Sequence, residues 1–188
     1  MAATAHTTMR EELERTSADA LFTRGDAERL LARKSAQEEL EKIVKSERGD
    51  HRLRVLAHEL LLALGRKPEA KMVRVYSEAI AGAFMHNWWG LPGHSLGKLG
   101  ETLVAFGEAA IPHLVKEMDD PAPLTFLGPD APKNRERHYC VGDLAAWLVC
   151  TILKRDYSDG AQPEARLAPR TALMHELQEE LQNNGKKK

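Results

Sequence analysis

The chain has 188 residues, 43% of them hydrophobic and 29% charged, with 27 Lys and Arg set against 28 Asp and Glu. That length suits one folded domain with a sizeable core, and the composition is globular rather than disordered. A formal net charge of -1 removes the global positive field that would steer a protein onto phosphate backbones or anionic membranes, so a nucleic-acid role would need a local patch.

Residues 1 to 8 are small and polar, and the stretch turns acidic at Glu11 without an apolar core, so it does not read as a secretory signal. No run reaches the roughly 18 apolar residues of a membrane span; the longest candidate, Val55 to Leu64, contains His58 and Glu59. A cytoplasmic chain is the expectation. Leu13, then Leu21 and Phe22, mark short helical pieces, broken at Gly25 and Asp26 before Leu30 and Leu31. Ser35 followed by Glu38 predicts a capping box, opening a helix with Ala36, Leu40, Ile43 and Val44 on one face. After a turn at Glu47–Gly49, Leu53, Leu56, Ala57, Leu60, Leu61 and Leu64 predict a partner helix that Gly65 stops.

Pro68 is expected in the first turn of the next helix, whose stripe is Met72, Val75, Tyr76, Ala79 and Ile80. FMHNWWGLPGHS then reads as a non-helical connection, with Ser95 expected to cap a helix of Leu96, Leu99, Leu103 and Phe106. Gly107 stops that helix, and Ala110, Ile111, Leu114, Val115 and Met118 resume the period as far as Asp119 and Asp120. A long connection over Pro121–Arg137 precedes a helix carrying Val141, Leu144, Ala145, Leu148, Val149 and Ile152. Cys140 and Cys150, ten residues apart in this run, would sit about 15 Å apart on a helix, too far for a disulfide, and read as reduced thiols. Pro163 and Pro169 punctuate the exit, and Leu173, Met174, Leu177 and Leu181 line a final helix before a solvated tail ending in Lys186–Lys188.

From Gly107 through Ala110, Pro112 and Leu114 to the acidic pair Asp119 and Asp120, the chain resembles the opening of a HEAT repeat of the bacterial kind, also found in phycobilisome-lyase-like proteins. Leu53, Arg54, Ala57 and Leu60 resemble that family's inner-helix pattern, which implies a ladder role for Arg54. The pattern departs where Gly142 stands in the third unit's ladder position and where Gly97 and Gly100 fall in the middle unit's inner helix. The 42 residues from Gly65 to Gly107 agree with the roughly 40 to 47 of HEAT or armadillo units. The expected fold is therefore all-α: a short α-solenoid of about three HEAT-like helical hairpins within one domain over 1–188. It comprises a helical lead-in over 1–34, repeats over 35–156, and a capping helix and tail over 157–188.

In such a stack the turns inside hairpins share one edge. The turns at Met85–His94 and Pro121–Arg137 exceed the roughly 2 to 8 residues usual between packed helices and would lie side by side. The first brings His86, Asn87, Trp88, Trp89 and His94; the second brings Phe126, Leu127, Asn134, Arg135 and Arg137, with His138 and Tyr139 following. Aromatics interleaved with cations and amides are what binding hot spots are made of. An equally open alternative makes Trp88 and Trp89 internal plugs and the prolines at 121, 123, 129 and 132 stiffeners of a crossover.

His86, His94, His138 and Cys140 match no zinc-ligand spacing, so no metal and no cofactor is expected. His58, among leucines, reads as a core-edge histidine. No nucleophile motif, P-loop or dinucleotide fingerprint is present. The expected function is non-catalytic: a protein-interaction module, in a role such as adaptor, inhibitor or immunity-type partner of another protein. HEAT-like stacks include DNA glycosylases that use an aspartate and tryptophans, so the alternative is a nucleic-acid-binding or glycosylase-like protein working through Asp143, Trp147 and the loop tryptophans. The charge balance argues against it, and an inter-repeat ion pair for Asp143 with Trp147 in the core is the simpler assignment.

Overall fold

A computed structural model describes residues 7–46, 50–83 and 85–185. Expectations placed on residues 1–6, the turn at 47–49, Phe84 and Lys186–Lys188 lie outside the described residues. The chain is mostly helical, with eleven α-helices among those residues, and it divides into two compact units, 1–75 and 76–188. The expectation from sequence is one domain over the whole length; the division falls inside a helix, Met72–Ala81, not at a linker.

In the first unit, α1 (Met9–Arg15), α2 (Ala18–Thr23) and α3 (Asp26–Leu31) precede α4 (Ala36–Lys45) and α5 (His51–Ala63). α4 and α5 pack on each other, and α1 packs on both. The predicted stripes are buried at Leu40, Ile43 and Val44 of α4 and at Leu53, Leu56, Ala57, Leu60 and Leu61 of α5, whereas Leu64, expected on the same stripe, follows the end of α5 and is exposed. Arg54 donates from Nε to the Val44 carbonyl at 3.2 Å, so it ties the inner helix to a carbonyl at the end of the outer one. The capping box predicted at Ser35 and Glu38 does not form. Ser35 has φ -96° and ψ 4° because a turn already runs into it, and its hydroxyl donates to Glu39 Oε1 at 2.6 Å. The reciprocal box occurs instead at Thr8 and Glu11, at the start of α1.

The segment after α5 also differs from expectation. Pro68 lies outside the helix, and α6 begins at Met72. The buried His58 ring holds this segment out, since His58 Nε2 accepts the Glu69 N–H at 3.2 Å.

In the second unit, α6 is followed by a two-stranded antiparallel hairpin, β1 (Gly90–Leu91) and β2 (Ser95–Leu96), which departs from the expected all-helical chain. Ser95 therefore pairs with Leu91 and does not cap α7 (Lys98–Ala105). Backbone carbonyls do the capping: Gly97 N–H donates to Trp89 O at 3.2 Å and Leu99 N–H to Trp88 O at 2.8 Å. The approach is so close that a Cβ on Gly100 would overlap the Trp89 carbonyl, which explains a glycine inside this helix.

Gly107, at φ 64°, ends α7 and opens a single 3₁₀ turn that runs into α8 (Ile111–Glu117). The long connection is not all loop, because α9 (Asp130–Arg137) forms within it and is closed by His138 in the left-handed region at φ 52°. α10 (Val141–Leu153) is buried along Val141–Cys150 and packs on α7, α8 and α11. α11 (Pro163–Gly185) starts earlier than its leucine stripe suggests and continues through Pro169, which forfeits one helical hydrogen bond.

Candidate functional site

The two long loops meet, through backbone and polar side chains. His86 N–H donates to the Thr125 carbonyl at 2.7 Å, and His86 Nδ1 accepts the Thr125 N–H at 3.0 Å. With Nδ1 an acceptor, Nε2 carries the proton and donates to Ile80 O at 3.2 Å. Burial pushes the His86 imidazole below its ordinary range, against those two backbone bonds. Asn87 acts as a clamp: Oδ1 accepts the Leu127 N–H at 2.9 Å, and Nδ2 donates to Leu127 O at 3.0 Å and Asp130 Oδ2 at 2.9 Å. Farther along, Asn134 Nδ2 donates to Leu124 O at 2.8 Å, and Pro123 bridges to Cys140.

The aromatics expected on this edge are mostly inside. Trp89, Phe126 and Tyr139 are buried, and Trp88 is half-buried. Trp89 stands edge-on to Tyr76 at 6.1 Å between ring centroids, and Phe126 lies 6.2 Å from the His86 ring. Trp89 is thus a core plug, and the exposed aromatic surface anticipated for this edge is absent among the described residues. Leu127 takes the outward place at 60% exposure, flanked by exposed Gly128 and Pro129. Arg135 and His138 are exposed as well. A groove of about 400 Å³ runs along this edge, with Pro121, Pro123 and Leu124 as apolar lining and Arg135, His138 and Asn134 as polar lining.

His94, Arg137 and Tyr139 converge on Asp159, which sequence reasoning did not single out. Tyr139 Oη donates to Asp159 Oδ1 at 2.6 Å, and Arg137 Nη1 donates to Asp159 O at 3.2 Å. His94 Nε2 lies 3.6 Å from Asp159 Oδ2, while Lys133 Nζ donates to His94 Nδ1 at 3.1 Å. Burial, then the neighbouring Lys133 charge, hold the His94 pKa down, and burial with the Asp159 bond raises the Tyr139 phenol.

Beneath this edge sits a buried ion cluster. Asp143, on the first turn of α10, accepts Arg166 Nε at 3.1 Å and the Cys140 N–H at 3.2 Å on Oδ2, and Arg170 Nη1 at 2.9 Å on Oδ1. Arg166 is 1% exposed; it also donates to the carbonyls of Gly160 at 2.7 Å and Arg137 at 2.8 Å, and its guanidinium lies 4.7 Å over the Tyr139 ring. Gly142 makes room for this arrangement, since a Cβ there would run into the Met118 carbonyl and crowd the Arg170 guanidinium. The signal that would have found Arg166 and Arg170 is helical spacing, because they share a face of α11 with Leu173 and Leu177.

Neither oxygen of Asp143 is available to a substrate, and Trp147 is buried, so the aspartate–tryptophan pair is committed to the interior. Cys140 and Cys150 are both free thiols. No group of three or more potential His, Cys, Asp or Glu ligands gathers among the described residues, and none of their helices is long and apolar enough to cross a membrane. No family model, curated protein or solved structure matches the chain.

Proposed function

We propose that this chain is a cytoplasmic, non-catalytic protein-interaction module of the HEAT-like kind, and that the edge built by the loops at 85–94 and 121–137 receives an extended acidic segment of a partner protein. The observation that carries the reading is the groove of about 400 Å³ on that edge, apolar at Pro121, Pro123 and Leu124 and cationic at Arg135. Docking onto a surface already held by the Asn87 clamp and the His86–Thr125 pair avoids the entropy of ordering a loose loop. Leu127, 60% exposed on the same loop, adds an apolar side chain outside the groove. Support for the HEAT-like part comes from α4 packing on α5, with Arg54 on an outer-helix carbonyl, and from α8 packing on α10. The nucleic-acid and glycosylase-like alternative loses its central residue, since Asp143 is already shared by two arginines.

The test is affinity capture from the cell of origin, comparing wild type with a Leu127→Asp/Arg135→Glu double variant. Both positions are exposed, so the melting temperature should stay within the range of ordinary surface substitutions. The expected result is a specific partner captured by wild type and lost from the variant. A variant that folds and captures the same partner at full yield overturns the assignment.

A further inference from the structure

A second cavity, of about 280 Å³, lies between the C-terminal half of α10, the segment after it and α11. It plays no part in the loop edge. Its walls include Ala146, Tyr157, Pro169 and Leu173, and its charged lining includes Arg155 and Arg170.

Charge accounting singles out Arg170. Arg155 has its own counter-ion in Glu176 at 2.8 Å, whereas Arg166 and Arg170 share the single carboxylate of Asp143. One positive charge is therefore in excess at the cavity wall, on side chains that are 1% and 12% exposed. The other lining carboxylate, Asp156, is exposed and its field is screened by water.

Donor accounting gives the same answer. A guanidinium has five N–H donors. Arg166 donates from Nε, Nη1 and Nη2 to protein acceptors, so its fork is used up. Arg170 donates only from Nη1, to Asp143 Oδ1 at 2.9 Å and Cys140 Sγ at 2.8 Å. Its Nε and Nη2 have no protein acceptor among the described residues, and Arg170 lines the cavity.

We infer that this cavity binds a small monocarboxylate with an apolar or aromatic tail, its carboxylate on the unspent donors of Arg170 and its tail against Tyr157, Pro169 and Leu173. The volume corresponds to about nine waters at ~30 Å³ each, the size of a single-ring acid. A monoanion matches the single excess charge shared by Arg166 and Arg170, which a dianion such as phosphate would exceed. Guanidinium–carboxylate bonds are the stronger class of hydrogen bond, and the half-buried Arg170 has donors left to form them.

The full chain is titrated with sodium benzoate and, separately, with neutral benzamide, with binding read from NMR shift changes. Benzoate should bind at least about tenfold more tightly than benzamide, the discrimination expected of a charge-assisted hydrogen bond. Leu173→Trp, which fills the cavity, should weaken benzoate by about tenfold or more while thermal melting reports a folded protein. Equal affinity for benzoate and benzamide overturns the inference. So does no benzoate binding up to about 10 mM, or unchanged benzoate affinity in a folded Leu173→Trp variant. The benzoate–benzamide comparison uses the wild-type chain and so needs no variant to fold.

Discussion

The α4–α5 pair of the first unit and the α8–α10 pair of the second are both packed helix pairs, but they are held by different physics. In α4–α5 the contact is a continuous apolar stripe on each helix, with one arginine reaching a carbonyl at the helix end. In α8–α10 the apolar contact is present too, yet more than twenty residues separate the helices. That connection is fastened by polar side chains: Asn87 and His86 from another loop, Asn134 from α9, and the Asp143 cluster at the start of α10. The first arrangement is specified by periodicity along the chain. The second depends on pairings between residues as far as 43 positions apart, and periodicity carries no information about those.

The largest expected effect is at Asp143. Asp143→Ala leaves the buried Arg166 and the half-buried Arg170 without their shared counter-ion, and breaking a buried pair in this way should cost about 3 to 5 kcal/mol in urea unfolding. If Asp143→Ala costs under about 1 kcal/mol, the cluster does not hold the second unit together. Trp89→Ala, which empties a buried site against Tyr76, should cost a similar ~3 to 5 kcal/mol, whereas an exposed binding tryptophan would leave the melting temperature nearly unchanged.

In the first unit the buried His58 makes stability depend on pH. Burial, first among its causes, lowers the imidazole from 6.5 to about 4, with Glu69 opposing and Lys71 assisting. Because the folded pKa lies below the unfolded one, the unfolded chain binds the extra proton between those values. Stability is therefore full above pH 6.5 and falls as pH drops toward 4, by about 3 kcal/mol over the window. Denaturant midpoints of wild type against His58→Gln, read from about pH 7.5 to 4.5, should show a smaller slope in the variant; identical slopes would remove His58 from the account. The smallest effect expected is at the loop clamp. Asn87→Ala removes three hydrogen bonds, at least one of them exposed, and should cost about 1 to 2 kcal/mol, with faster hydrogen exchange at the Leu127 amide than at core amides of α10.

The helices themselves were legible because burying one face of a helix requires apolar residues at every third or fourth position. Leu40–Val44, Leu53–Leu61 and Leu144–Val149 carry that requirement in local order. The juxtaposition of the two long loops was also legible, as were the close-approach glycines as irregularities, though not their cause. Helix starts were less so: Ser35 and Ser95 have cap chemistry, but one sits in a running turn and the other in a hairpin, while Trp88 and Trp89 carbonyls cap α7 without any side-chain signature. The candidate site divides in the same way. Residue types alone put tryptophans, amides and cations on two loops. Only the tertiary structure decided that Trp89, Phe126 and Tyr139 turn inward, that Leu127 turns outward, and that Asp159, Arg166 and Arg170 complete the polar framework. The reason is that an aromatic ring is stabilised equally by a core or by a partner, and which one it meets depends on the distant chain that arrives beside it.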